Sequence, residues 1–373
     1  LYAAETVVSE VQERYGVESL DDSFVRISYA VFNVTFDTIG QQVFEQKRAP
    51  GFAFVVCAGG SVVFAKGYGV ADIAADELVT SETRFAIGSL TKQFTAAAVL
   101  LLREEGKLSL EDRLERYVPG MPNGSDITLR MMLNQSSGLR NYPNTREHTW
   151  PREGVIRPDQ LIDFLKTDKP DFAPGERWAY SNTNYAMLAQ VIAQVSGVSY
   201  GDFLLSRIFG PLDMAQTGNG FLAQEGIATP YEWTGTSFAA AEPQLSLDLF
   251  YGAGSLVSTA QDLSRWNMAL IGCRLLKAES VLELWTEGRL SGGEPMGYAM
   301  GFVPAMIASH RQVWHNGYTP RAGGYCFNAI FPDDGLGIIV LSNVSVPSFR
   351  GVPEQMVRDV LTLYEPQNMC ATE

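Results

Sequence analysis

Strand-like runs stand near the two ends of this chain, and helical periodicity fills the long stretch between them; no other feature restricts the fold as strongly. FAFVVCAG and SVVFAKGYGVAD follow the break at Pro50-Gly51 and are joined by Gly59-Gly60, a pair suited to a hairpin because glycine takes positive φ without penalty. RQVWHNG, GGYCFNAIFP and GLGIIVLSNV come near the other end, with Asp333-Asp334-Gly335 as a tight turn between the last two. From Ser89 to about Ser280 the apolar spacing is mostly helical, punctuated by Pro119, Pro122, Pro143, Pro174, Pro211 and Pro243. This order implies an α/β fold, more strictly α+β. An antiparallel sheet flanked by helices is built from both chain ends, and a mostly helical domain is inserted between them.

The expected division is an N-terminal extension over 1–27, a sheet domain from 28–88 plus 290–373, and a helical domain over 89–289, with a cleft at their boundary. Helices are expected over about Thr6–Tyr15, Ser28–Gln46 and Pro353–Tyr364, the last carrying Val357, Val360, Leu361 and Tyr364 on one face.

Composition narrows the function classes. Hydrophobic residues make up 46% and charged residues 19% of the 373, which is a globular composition. The longest apolar run, Phe94 to Leu102, falls far short of the roughly 18 residues a membrane helix needs, so no transmembrane segment is expected. A formal charge of -14 without clustered Lys or Arg argues against nucleic acid as a partner. Cys57, Cys273, Cys326 and Cys370 are widely spaced, and the only histidines are His148, His310 and His315, so neither a metal nor a cofactor is expected and free thiols are favoured over disulfides. The chain opens at Leu1 with no charged-then-apolar leader, so localisation stays open, with a periplasmic or secreted setting weighed ahead of a cytoplasmic one. A homo-oligomer stays open as well.

The chemistry centres on Ser89-Leu90-Thr91-Lys92. A serine hydroxyl is a poor nucleophile until a base takes its proton. On a helix, residues three apart share a face, so Lys92 stands beside Ser89 while the helix N-terminus offers backbone N–H groups to a developing oxyanion. Lys92 can act as a base only if burial or nearby positive charge lowers its pKa from about 10.4. A solvated lysine in the first turn of a helix is the plain alternative, and this four-residue pattern alone does not exclude it.

Further along, PGERWAYSNTNYAMLAQ places Tyr180 and Asn182 in a loop before a helix expected to begin near Asn184, and VWHNGY carries His315-Asn316-Gly317 on an alternating strand. Ser-x-x-Lys, then Tyr-x-Asn, then a Lys/His-x-Gly strand motif, in that order, resembles the serine β-lactamase and penicillin-binding protein superfamily, in its class C, D-alanyl-D-alanine carboxypeptidase and esterase branch. APGFAFVV, LNQSSGL, PGERWAYSN, RIFGPLDM and GAGSLVSTAQDLSRW extend the resemblance over about residues 28 to 364.

The resemblance implies a β-lactamase/transpeptidase-like fold and a metal-free serine hydrolase that acylates Ser89. Its substrate would be a small molecule or short peptide with an amide or ester bond. Tyr180 would accept or shuttle the proton, as a phenolate beside Lys92. Asn182, His315, Asn316 and Gly317 would meet the substrate, and the backbone N–H groups of Ser89 and Tyr318 would form the oxyanion hole. Gly317 would be glycine because a side chain there obstructs the substrate.

His315 and Asn316 depart from the Lys and Thr/Ser usual in class C β-lactamases. A histidine there makes the cation near the substrate carboxylate titratable near neutrality, which favours a peptidase, amidase or esterase. Arg321 is a further candidate for a carboxylate contact. The rival Tyr142-Pro143-Asn144 lacks the following helix, Ser136 and Ser137 read as a structural turn, and Trp150, Trp178, Tyr231, Trp233 and Phe250 read by default as core. The alternative function is a penicillin-recognising or scaffold protein of the same fold without useful turnover.

Overall fold

The computed structural model describes residues 35–142, 158–219, 226–242, 247–319, 323–345 and 348–364. The helix expected at 6–15 and the candidates Cys370, His148, Trp150 and Arg321 lie outside them.

Seven strands form one antiparallel sheet: β1 (Gly51–Ala58), β2 (Ser61–Asp72), β3 (Glu77–Leu78), β4 (Val303–Ile307), β5 (His310–Tyr318), β6 (Tyr325–Phe331) and β7 (Leu336–Ser342). Their order across the sheet is β3-β2-β1-β7-β6-β5-β4. The two chain ends meet in the register of β1 on β7, from Phe52 opposite Ser342 to Ala58 opposite Leu336.

Strands β1, β6 and β7 are buried along their whole length, which explains why they read as unbroken apolar runs rather than as an alternating pattern. Period two still assigns the faces. Ala53, Val55 and Cys57 point into one apolar cluster, while Phe52, Phe54 and Val56 point into another.

The second cluster is closed by α1, helical over 35–45, and by a C-terminal helix. Phe36, Ile39 and Val43 come from α1; Met356, Val357, Val360 and Leu361 come from the later helix. On the opposite face lies α2 (Thr91–Glu104), whose residues Thr91 to Leu102 are all buried. A helix buried on every side belongs to the centre of a large core. Each of its Leu and Val side chains contributes roughly 1.5–3 kcal/mol through burial, so the helix is a rigid platform. Against α2 pack α3 (Asn182–Ser196) and α4 (Ala260–Ile271), and α5 (Val352–Tyr364) is the C-terminal helix of the other face.

The helix expected over 28–46 is described from 35 to 45. Helix α3 starts at Asn182, two residues before the expected position, with Ser181 as its cap residue in an extended conformation. Cys57, Cys273 and Cys326 are free thiols. No helix among the described residues is long and apolar enough to cross a membrane.

Candidate active site

The site forms where α2, α3 and β5 converge. The short strand Phe85–Ala86 pairs with Leu256–Ser258 and leads into a 3-10 turn, Gly88–Leu90, that opens directly into α2. Gly88 has φ +51, and a Cβ there would come within 2.8 Å of the Tyr318 backbone nitrogen. Glycine therefore supplies the turn's backbone conformation and also lets β5 approach the Ser89 segment closely.

Ser89 Oγ is bracketed by two side chains. Tyr180 donates its hydroxyl to it at 2.7 Å, and Lys92 Nζ stands 3.1 Å away. Lys92 is 0% exposed. Its amine also donates to Asn182 Oδ1 at 2.8 Å and to the Ala253 carbonyl at 2.6 Å. Burial lowers the Lys92 pKa well below its ordinary value, because removing the ammonium from water disfavours the charged form. The same desolvation raises the Tyr180 pKa, with the Ser89 hydrogen bond opposing it, so Tyr180 is a neutral phenol. The phenolate expected from sequence is corrected on this ground.

His315 also differs from expectation. It is 3% exposed, with Nδ1 at 2.6 Å from the Asn316 carbonyl oxygen and Nε2 at 3.1 Å from the Tyr298 hydroxyl. Burial, together with the positive charge Lys92 carries whenever it is protonated, pushes its pKa down to about 3, with the bond to Asn316 opposing, so it is neutral at physiological pH rather than a titratable cation. Asn316 departs further. Along β5, His315 and Gly317 share the face of Val313 toward α2, while Asn316 shares the face of Trp314. The Asn316 amide lies against the Tyr325 hydroxyl, which donates to Glu354 Oε1 at 2.8 Å on the far side of the sheet. The expected substrate contact through the Asn316 side chain is therefore corrected.

Gly317 is tightly constrained, for a reason other than the expected one. A Cβ there would meet the Ile87 carbonyl oxygen at 1.8 Å, so it would strike the backbone leading to Ser89 before any substrate.

Several contributors carried no signal in the sequence reading. Asn141 Oδ1 accepts from the Asn182 backbone N–H at 2.9 Å and from its side-chain amide at 3.1 Å, which fixes the Asn182 carbonyl toward Lys92. Gln135, in the LNQSSGL turn with φ +66, accepts from the Ser181 backbone at 3.0 Å and from the Asn184 amide at 2.7 Å. The Ala253 carbonyl follows Tyr251, a non-glycine residue held at φ 36 and ψ -126. Such strain persists only where packing over-determines it, and here Tyr251 sits with its ring centroid 5.2 Å from that of Tyr200. Of the aromatics read as core, Tyr231 and Phe250 are buried but Trp178 and Trp233 are exposed. The rival Tyr142 is fully buried.

The sequence pattern of the Beta-lactamase family matches residues 36–361. The chain belongs to this family. Penicillin-binding protein 4* of Bacillus subtilis (strain 168) is 30% identical to this β-lactamase family member over 300 residues, which cover 75% of the chain but only 65% of that relative. Among solved structures, the octameric penicillin-binding protein homologue from Pyrococcus abyssi is similar with a TM-score of 0.74 and 27% identity, covering 88% of this chain and 76% of that one. The D-amino acid amidase from Ochrobactrum anthropi SV3 shares the fold with a TM-score of 0.78 at 24% identity, covering 90% and 99%. Among the described residues of this family member, no cluster of His, Cys, Asp or Glu is arranged to hold a metal ion.

Proposed function

We propose that the protein is a serine hydrolase that acylates Ser89 and hydrolyses the acyl-enzyme, with a small amide or ester as acyl donor. One observation carries the reading: a buried Lys92 amine of lowered pKa stands 3.1 Å from Ser89 Oγ.

A neutral amine has two N–H groups and one lone pair. Both N–H groups of Lys92 have acceptors, Asn182 Oδ1 and the Ala253 carbonyl, which leaves the lone pair for the Ser89 hydroxyl. Ser89 Oγ then attacks the substrate carbonyl as its proton passes to Lys92. The backbone N–H groups of Ser89 and Tyr318 are the proposed oxyanion donors, a role worth several kcal/mol where preorganised. Tyr180, a phenol at 2.7 Å from Oγ, gives its proton to the leaving group and recovers one from Lys92. In the second half-reaction the same pair takes the proton of a water that adds to the acyl carbon, and returns a proton to Ser89 Oγ as the ester bond breaks and the acid leaves.

The names of the relatives, penicillin-binding proteins and an amidase, support acyl transfer at an amide or ester. The test is turnover of p-nitrophenyl acetate, a D-amino acid amide and nitrocefin by wild type and Ser89→Ala. The reading requires turnover of at least one by wild type and loss of it in the variant; equal rates for the two proteins on all three refute it.

A further inference from the structure

The Lys92 amine is aimed at Ser89 by its two acceptors, Asn182 Oδ1 and the Ala253 carbonyl, so whatever holds those acceptors also holds the base. Asn141 holds Asn182. The Ala253 carbonyl has a different support. It belongs to the segment 251–256, which two threonines of α2 grip. Thr91 Oγ1 accepts from the Leu256 backbone N–H at 3.2 Å, and Thr95 Oγ1 donates to the Gly252 carbonyl at 2.7 Å.

Thr95 stands three residues after Lys92, on the same face of α2. The successive carbonyls of Gly252 and Ala253 therefore meet side chains from neighbouring turns of one helix. A threonine hydroxyl has a single proton. Its contact with Gly252, at 2.7 Å, is much shorter than the 3.4 Å to the Thr91 carbonyl, so the proton goes to Gly252. Oγ1 then accepts from the Tyr200 hydroxyl at 2.6 Å, which fixes the Thr95 hydroxyl in this orientation. Thr95 and Tyr200 are both buried, so bulk water does not compete for either bond. Gly252 is also pressed against α3, where a Cβ on it would meet the Tyr185 carbonyl oxygen at 2.6 Å. Before it, Tyr251 keeps its φ of 36, which a non-glycine residue holds only when its surroundings impose it.

Building on the serine hydrolase reading, on which this rests, we propose that Thr95 and Tyr200 are positioning residues for the base: their hydroxyls hold the Gly252–Ala253 peptide so that the Ala253 carbonyl takes one Lys92 N–H and the amine lone pair stays on Ser89. Removing the Thr95 hydroxyl frees the Gly252 carbonyl, and the strain at Tyr251 favours rotation of these peptides away from α2. Lys92 then loses a fixed acceptor and its amine turns from Ser89 Oγ. The loss falls on the chemical step rather than on substrate binding.

Single-turnover acylation by p-nitrophenyl acetate, in wild-type and Lys92→Met backgrounds, tests this. Ser89 Oγ bonds to the acyl carbon, its proton passes to Lys92, the C–O bond breaks and p-nitrophenolate leaves. Thr95→Val keeps the side-chain shape without the hydroxyl, and is expected to lower the maximal acylation rate about tenfold or more with the half-saturating ester concentration little changed. Thr95→Ser, which keeps the hydroxyl, should recover most of the rate. Because Thr95 acts through Lys92, Thr95→Val should cost little more in the Lys92→Met background, whereas a loss of packing alone would multiply with it. Tyr200→Phe should give a smaller loss with the same non-additivity, and carries the test if Thr95→Val does not fold. A wild-type rate in Thr95→Val, equal losses in the two backgrounds, or Thr95→Ser no faster than Thr95→Val overturns the proposal and leaves the hydrolase reading standing. Absence of Ser89-dependent acylation in wild type contradicts the hydrolase reading and this proposal with it.

Discussion

The amine of Lys92 stands 3.1 Å from the hydroxyl of Ser89, at a depth that leaves Lys92 0% exposed. The pair is fixed by the helix itself. Ser89 is the middle residue of the turn that opens α2 and Lys92 follows three residues later, on a helix whose apolar side chains form the centre of the larger core. Position therefore comes from packing, and chemistry comes from the water that packing excludes.

Removing either proton carrier separates their roles. Lys92→Met is expected to lower the acylation rate by about 10³–10⁴-fold, the upper part of the 10²–10⁴ range usual for a general acid or base, and Tyr180→Phe by about 10²–10³-fold. Stopped-flow acylation with a chromogenic ester measures both. Near-normal rates in either variant, with circular dichroism melting unchanged, contradict the role assigned to that residue.

The pH dependence has a defined sign. Between the lowered pKa of native Lys92 and its unfolded value near 10.5, the unfolded chain holds a proton that the native chain does not, so stability rises with pH across that window. His315 acts likewise between 6.5 and about 3: its contribution is present above 6.5 and is lost as pH falls toward 3. The melting temperature is expected to fall between about pH 7 and about pH 4, and His315→Gln to remove part of that fall. Activity should rise along a limb well below 10.5, as native Lys92 loses its proton. A limb confined to the region of 10.5 contradicts a neutral amine as base.

Gly317→Ala tests the contact between β5 and the Ser89 segment. The added Cβ would lie 1.8 Å from the Ile87 carbonyl oxygen, a backbone atom that cannot rotate away. The expected outcome is a lower melting temperature together with a fall in kcat of about tenfold or more, because β5 and the Tyr318 N–H move away from Ser89. Wild-type melting and kcat contradict the close approach.

Much of this arrangement was legible in the sequence, and the failures have physical causes. The β6 and β7 runs read as strands because both of their faces are buried, and Ser89, Lys92, Tyr180 and Asn182 stood out through the order of their motifs. Along β5, period two already separates His315 from Asn316, but which face meets the nucleophile depends on neighbours distant in sequence. The same holds for Asn141, Tyr298 and the Ala253 carbonyl, which act through contacts no local pattern announces. Asn328 is the clearest case: within the apolar run YCFNAIF it exchanges two side-chain hydrogen bonds with Asn267, at 2.7 and 2.9 Å, and donates to Gln93 beside Lys92 at 3.1 Å. A buried asparagine of this kind is compatible with the core only because its partners arrive from α2 and α4.

Acylation of Ser89 is the central claim, and intact-protein mass spectrometry of a rapidly quenched reaction tests it most directly. Wild type mixed with an activated neutral ester should gain the mass of one acyl group, mapped by peptide sequencing to Ser89 and absent in Ser89→Ala. Turnover without any adduct in wild type, or an adduct that persists in Ser89→Ala, would contradict it.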